Sequence, residues 1–236
     1  MLGTGLSLRD TARCAGYCDA IRRRSHLFEV ERQGFTDMKK VIYLHGFSSA
    51  GSTGTAVTLR GYLYEDYGVH VISPDIPVMP DEALVFLNDL VKREAPELII
   101  GPSMGAMYAE LMKGFRRICV NPSFHMAKLL TFNHLNKNVE FQNPRADGAV
   151  SFKVDKKMVD GFRDIEKRLS LKNITAEEKK LVWGIFGKND RTVNCQDEFI
   201  KAYGREHFKV VDGEHSLTQT VLKREVLPLI LELLGC

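Results

Sequence analysis

The stretch LIIGPSMGAMYA, residues 98–109, places a serine between two glycines, where an apolar run meets a helical pattern. A G-x-S-x-G motif in this context is typical of a nucleophile elbow, a strained turn that raises a serine above the end of a buried strand. Backbone and helix crowd such a turn, so Gly101 and Gly105 must be almost free of side chain. The motif predicts Ser103 as a nucleophile at the positive end of a helix dipole. The alternative is a glycine-rich turn with a chance serine.

The chain on both sides of this stretch alternates short apolar runs with helical patterns from residue 40 onward. Six runs are predicted as buried strands, at 41–44, 69–73, 97–100, 117–120, 181–186 and 207–211. Helices are predicted between them, at about 53–67, 81–93, 104–113 and 194–203, and a closing helix over 217–234 is bent or interrupted at Pro228. Such alternation produces a parallel sheet covered on both faces. The predicted fold class is α/β, with about six mainly parallel strands.

Two segments depart from the alternation. Residues 1–37 contain Gly, Ser and Arg without an apolar period, and they precede Met38 and the first predicted strand. We interpret 1–37 as an N-terminal extension, disordered or non-native, and 38–236 as the folded domain. Residues 125–180 contain an Asn-rich stretch and a charged helical pattern. We predict that this second segment is a cap-like insertion that decides substrate choice.

A nucleophilic serine needs a base, and the base needs an orienting acid. In α/β-hydrolases the acid follows the serine in the chain and the histidine comes last. Asp190 follows the fifth predicted strand, and His215 follows the sixth. Taken alone, Asp190 is also a typical Asx-turn residue, and His215 is a typical helix-start residue. Their order and their common place at strand ends favour a triad of Ser103, Asp190 and His215.

Acyl transfer also needs donors for the developing oxyanion. The backbone amide of Met104, directly after the nucleophile, is one candidate. The amide of Phe47, in the loop after the first strand, is the second, because Gly46 allows that loop to approach the elbow. Two acids that flank the histidine, Asp212 and Glu214, are too near it in sequence to approach its ring.

Composition limits the remaining classes of function. The 236 residues carry 33 basic and 30 acidic side chains, a net charge of +3, with both signs interspersed, so a nucleic-acid footprint is not indicated. The longest apolar stretch near the C-terminus, 226–234, is too short to span a bilayer. Five scattered cysteines show neither a disulfide framework nor metal-ligand spacing. These features disfavour a nucleic-acid-binding protein, a membrane-spanning protein, a disulfide-rich protein and a zinc protein.

Several of these motifs resemble one small family. Residues 42–49 (IYLHGFSS), 74–77 (PDIP), 101–105 and 121–122 (NP) are similar to the YqiA/YcfP type of small α/β-hydrolase esterases. The resemblance covers about residues 38–235. It implies a cytoplasmic serine esterase that acts on short acyl esters without a metal or diffusible cofactor, with its triad on Ser103, Asp190 and His215. The elbow departs from the family pattern at Pro102 and Ala106.

The sequence thus predicts a carboxylesterase that works through an acyl-enzyme intermediate. Candidate substrate-binding residues follow the fourth strand: Phe124, His125 and Met126, with Leu129 beyond them. Simple core packing is the alternative for the apolar members of this group. Two other classes of function stay open. One is a thioesterase or a peptidase on the same triad, and the other is a non-catalytic, hydrolase-like binding protein.

Overall fold

A six-stranded sheet forms the centre of the computed structural model, which describes residues 38–169 and 171–236. Its six strands are β1 Lys40–Tyr43, β2 His70–Ile72, β3 Leu98–Pro102, β4 Arg117–Val120, β7 Val182–Gly187 and β8 Phe208–Val211. Their order across the sheet is β2-β1-β3-β4-β7-β8, and every neighbouring pair is parallel. These are the six strands that the apolar runs predict, and the α/β fold class is confirmed.

Helices cover both faces of the sheet because its strands are apolar on both sides. One face packs against α2 Pro80–Glu94, α3 Met104–Leu111, α4 Met126–Asn133 and α5 Lys156–Arg168. The other face packs against α1 Gly54–Tyr67 and the C-terminal helices α8 Gln219–Val221 and α9 Leu227–Leu234. The short helix α6 Ala176–Lys179 precedes β7, and α7 Gln196–Tyr203 packs over β4 and β7. No helix in the described ranges is long and apolar enough to cross a bilayer.

The segment 125–180 contains a second, two-stranded sheet that the sequence patterns do not predict. Strand β5, Asn138–Glu140, pairs antiparallel with β6, Ser151–Lys153. Both strands have three residues, of which only the central one is half-buried and the outer two are exposed. Such a strand has no apolar run to reveal it, so it escapes a search by periodicity. The predicted extension at 1–37 lies outside the described residues.

The closing helix is interrupted near Pro228, as the sequence predicts. Residues Leu222–Val226 form a π-helical segment between α8 and α9. Proline has no backbone N–H and its ring crowds the preceding turn, so a regular α-helical ladder cannot continue through it. The π segment widens the helix where it faces α1 and the sheet.

Candidate active site

Ser103 lies between the end of β3 and the first residue of α3. Its backbone has φ 53° and ψ −119°, a conformation that residues other than glycine rarely adopt. The end of β4 and the loop after it hold this conformation, since the Ser103 amide donates to Val120 O at 2.9 Å and its carbonyl accepts from Ser123 N at 3.1 Å. A strained serine held by its surroundings at a strand-to-helix turn matches the geometry of a nucleophile elbow.

The two glycines of the motif are required by close packing. A Cβ at Gly105 would lie 2.0 Å from the Leu44 carbonyl oxygen, and a Cβ at Gly101 would lie 2.3 Å from the Gly105 carbonyl carbon. Neither position has room for a methyl group, because the obstructing atoms are backbone. The start of helix α3 therefore packs directly on the end of β3 and on the residue that follows β1, which fixes the height of Ser103 above the sheet.

Asp190 and His215 meet at the carboxyl ends of β7 and β8. Asp190 Oδ2 accepts a hydrogen bond from His215 Nδ1 at 2.8 Å. Asp190 Oδ1 accepts from the amides of Thr192 at 2.7 Å and Val193 at 3.2 Å. One oxygen of Asp190 thus forms an Asx turn, and the other binds the histidine. The Asp190 side chain is 3% exposed, and that of His215 is 23% exposed.

Asn121 joins the loops that carry the acid and the histidine. Its side chain donates to the carbonyls of Glu214 at 2.9 Å and His215 at 2.8 Å, and it accepts from Gly187 N at 2.7 Å. It is buried, with φ 43°. Both N–H donors of its amide are therefore used, and its oxygen accepts one hydrogen bond. The sequence marks Asn121 as part of a motif but does not indicate its role, because its partners are backbone atoms that no side-chain pattern reveals.

Two backbone amides beside Ser103 have no hydrogen-bond acceptor among residues 38–169 and 171–236. They belong to Phe47 and Met104, the predicted oxyanion donors. Gly46 brings the first of them close, since a Cβ on Gly46 would lie 3.7 Å from Ser103 Cβ. Unpaired amides next to a strained serine are available to an incoming carbonyl oxygen.

The buried His45 ring fixes the loop after β1 through two hydrogen bonds. Its Nε2 accepts from Ile76 N at 3.0 Å, and its Nδ1 donates to Gly46 O at 2.8 Å. Burial lowers the pKa of His45, so the ring stays neutral and holds one tautomer. His45 therefore braces the Phe47 amide and is not placed as a base.

The loop after β1 is also held by the hairpin of the 125–180 segment. Gln142 donates to Ser48 Oγ at 3.0 Å, and Asn143 donates to Ser49 Oγ at 3.0 Å. Asp75 adds a bridge, because its two carboxylate oxygens accept from Gly51 N and Ala146 N, each at 2.7 Å. The position of the Phe47 amide thus depends on the insertion as well as on the sheet.

One cavity of about 340 Å³ reaches both Ser103 and His215. Residues of the loop after β1, of α1, of the insertion and of the π segment line it together. The described residues that line it include no Asp, Glu, Lys or Arg. The Ser103 hydroxyl has no hydrogen-bond partner in the described part of the chain, and catalytic hydrogen bonds are often open in the absence of substrate.

Only one of the three predicted substrate-binding residues lines the cavity. Met126 lines the cavity, as does Leu129. Phe124 is buried in the core beneath α7, and His125 is exposed and bonded to Glu198 at 2.9 Å, so neither lines the cavity. These residues follow β4 in succession, and successive side chains outside a helix point in different directions.

One group among the described residues has the composition of a metal site. His125, Cys195 and Glu198 bring three potential ligand atoms within 4.8 Å of one another. His125 and Glu198 already satisfy each other by a hydrogen bond, and burial raises the pKa of the Cys195 thiol, which disfavours the thiolate that binds metal. The group lies apart from the cavity that contains Ser103 and His215.

Comparison with known proteins supports these assignments of fold. A model described as Uncharacterised protein family (UPF0227) matches residues 40–229. Among solved structures, Est1E from Butyrivibrio proteoclasticus is similar at a TM-score of 0.60 and 17% identity, with 84% of this chain and 89% of that chain covered. The esterase domain of a Rhodothermus marinus protein is similar at 0.53 and 15% identity, covering 83% and 88%. MGS-MChE2, an alpha/beta hydrolase enzyme from the metagenome of sediments from the lagoon of Mar Chica, Morocco, is similar at 0.53 and 13%, covering 85% and 93%. The sheet and its helices therefore have the α/β-hydrolase fold.

Proposed function

This chain belongs to the uncharacterised protein family UPF0227, the YqiA/YcfP group of α/β-hydrolases, and from that premise we propose that it is a serine carboxylesterase. The observation that carries the proposal is the Asp190–His215 hydrogen bond beside a cavity that also contains the strained Ser103. The three side chains come from three loops at one edge of the sheet, in the chain order that this fold uses. Esterases among the similar structures support the same reaction class.

The proposed mechanism follows from these positions. Asp190 holds the His215 ring so that Nε2 is free to take the proton from Ser103. Ser103 attacks the ester carbonyl, and the Phe47 and Met104 amides bind the oxyanion. His215 then returns the proton to the leaving alcohol, and water hydrolyses the acyl-enzyme by the same steps in reverse. This scheme uses no metal ion or cofactor.

The cavity supports a small neutral ester as substrate. Because its lining residues within 38–169 and 171–236 include no Asp, Glu, Lys or Arg, these residues offer no fixed charge to pair with a phosphate, a carboxylate or an ammonium group. This favours a simple ester over a substrate that carries a charged recognition group close to the scissile bond. A small-molecule partner and a cytoplasmic location are further inferences from the family resemblance.

An active-site label tests the proposal directly. A fluorophosphonate probe is expected to modify the native protein and to give an adduct on the peptide that contains Ser103, as read by mass spectrometry. The heat-denatured protein is the matched control, because unfolding separates Ser103 from His215 and removes its reactivity. Absence of an adduct on the native protein, or an adduct on another residue, contradicts the proposal.

The Asn121→Gly variant tests the hydrogen bonds that connect the loop of Asp190 to the loop of His215. Glycine accepts the positive φ of this position, so the variant removes three hydrogen bonds without adding backbone strain. We expect kcat to fall by about 10–100-fold, because small displacements of His215 are costly to the reaction. Stability is expected to fall by about 2–4 kcal/mol in denaturant titrations.

The Asn88→Gly variant provides the comparison for that experiment. Asn88 makes a similar hydrogen bond, to the Leu84 carbonyl at 2.8 Å, but it lies on α2 and not in the cavity lining. It should lose stability and keep kcat. A purely structural role for Asn121 would appear as lowered stability with unchanged kcat.

A further inference from the structure

The cavity beside Ser103 has two ends of different character. One end is formed by the insertion and the loop after β1, where His134, Gln142 and Asn143 are exposed or half-buried polar residues. The other end lies between α1, the sheet and the π segment, and its apolar lining residues are Tyr43, Leu59, Ile100, Val120, Leu222 and Val226. Each of these six is at most 5% exposed. This end of the cavity therefore extends below the protein surface.

The described residues that line the buried end include no Asp, Glu, Lys or Arg. Burial raises the pKa of Tyr43, so its phenol stays protonated at neutral pH. Thr53 and Thr55 add hydroxyl groups at the start of α1, and the other walls are aliphatic. A site of this composition favours an aliphatic group and disfavours an ionised one. The volume of the whole cavity, about 340 Å³, falls at the lower end of the range for small-molecule sites and exceeds what an acetyl group fills.

The π segment shapes this end of the cavity. Leu222 and Val226, its first and last residues, both line the cavity and both belong to the core cluster on the α1 face. π-helical turns within α-helices are frequent at functional sites, because the widened turn redirects side chains. Residues of the C-terminal helix therefore line the same cavity as Ser103, although they follow Ser103 by more than a hundred positions in the sequence.

We propose, on the basis of the proposed esterase function, that the buried end between α1 and the π segment is the acyl pocket and that it takes a medium-length, unbranched aliphatic acyl chain. The polar, open end receives the alcohol part of the ester. Each methylene that enters the pocket adds apolar burial, which raises kcat/KM by up to about fourfold. Preference is set by Leu222 and Val226 and not by the insertion residues Met126 and Leu129.

Two series of substrates locate the acyl pocket. The first varies the acyl group at constant alcohol: p-nitrophenyl acetate, butyrate, hexanoate and octanoate. We expect kcat/KM to rise along this series by up to about fourfold per methylene. The second varies the alcohol at constant acyl group, as ethyl, butyl and hexyl acetate, and a flat profile is expected. A rise with alcohol length and a flat acyl series would overturn the proposal.

Three variants assign the preference to a wall of the cavity. Leu222→Trp fills the buried end, and we expect it to lower the ratio of octanoate to acetate kcat/KM by at least about tenfold, the effect of losing two buried methylenes. Leu129→Trp fills the insertion side and should leave that ratio within about twofold. Val57→Trp is the matched control, since Val57 lies on the exposed face of α1. A lowered ratio in Leu129→Trp together with an unchanged ratio in Leu222→Trp would place the acyl group elsewhere.

A fourth variant covers the case in which the larger side chain prevents folding. Leu222→Ala enlarges the buried end, so the ratio of decanoate to octanoate kcat/KM should be higher than in the unaltered protein. An unchanged ratio would contradict the pocket. Fluorophosphonate labelling of each protein distinguishes loss of the esterase function from a wrong location of the acyl pocket. Failure of the unaltered protein to label or to cleave any ester refutes the esterase function. Normal labelling with acyl-length profiles that no variant changes refutes the pocket alone.

Discussion

Replacement of Ser103 by alanine is expected to lower kcat for p-nitrophenyl butyrate by about 10⁶-fold, the effect of removing the nucleophile from a serine hydrolase. Alanine has no hydroxyl, so no acyl-enzyme forms. The oxyanion amides and the cavity stay in place and provide only a small residual acceleration. The measurement compares purified variant and unaltered protein, with the detection limit set by a sample from cells that lack the gene.

The same experiment contains a test of whether Ser103 and His215 act as one unit. The double variant Ser103→Ala, His215→Ala should be no slower than either single variant, because residues of a triad are strongly non-additive. Circular dichroism and thermal melting check that the fold is kept. Residual turnover within tenfold of the unaltered protein would assign the reaction to another nucleophile.

The Asp190→Asn variant is expected to lower kcat by about 10⁴-fold while the fold is kept. Asparagine can retain the hydrogen bonds from the Thr192 and Val193 amides through its carbonyl oxygen. Its NH₂ group then faces His215 Nδ1, where Asp190 now accepts at 2.8 Å. A donor at this position makes Nδ1 the acceptor and moves the proton to Nε2, which is the wrong tautomer for a general base.

A suitable comparison is Asp164→Asn. Asp164 is exposed on α5, where it pairs with Lys167, and its loss should leave kcat within twofold. If Asp190→Asn retains more than a tenth of the activity, a different acid orients the histidine. Asp212 and Glu214 are then the residues to replace, although both are exposed and neither has a hydrogen bond to the ring among the described residues.

The sheet and the order of the site residues follow from the sequence because they rest on local signals. Each parallel strand is a short apolar run, and each candidate residue comes directly after one of them. Parallel strands bring their carboxyl ends to one edge, so Ser103, Asp190 and His215 share that edge. The glycines at 101 and 105 are predicted for the same reason, since the crowding at the elbow depends on adjacent elements.

Features that depend on contacts between distant segments were not predictable. The hairpin of β5 and β6 has no apolar pattern, and it is held by hydrogen bonds of Gln142 and Asn143 to Ser48 and Ser49. The buried end of the cavity is a space between helices, and periodicity reports which residues are apolar but not where packing leaves a gap. Phe124 looks like a pocket residue in the sequence and lies in the core, because α7 covers it.

The backbone of Ser103 has an evolutionary consequence. A serine at φ 53° costs the folded protein on the order of 1–3 kcal/mol, which glycine would not incur. Stability and activity therefore act in opposite directions at this one position. In a lineage released from selection for hydrolysis, random substitution would be expected to convert residue 103 to glycine early, with a gain in stability. Glycine at this position in a related chain would therefore indicate a protein that has lost hydrolytic activity and retained the fold.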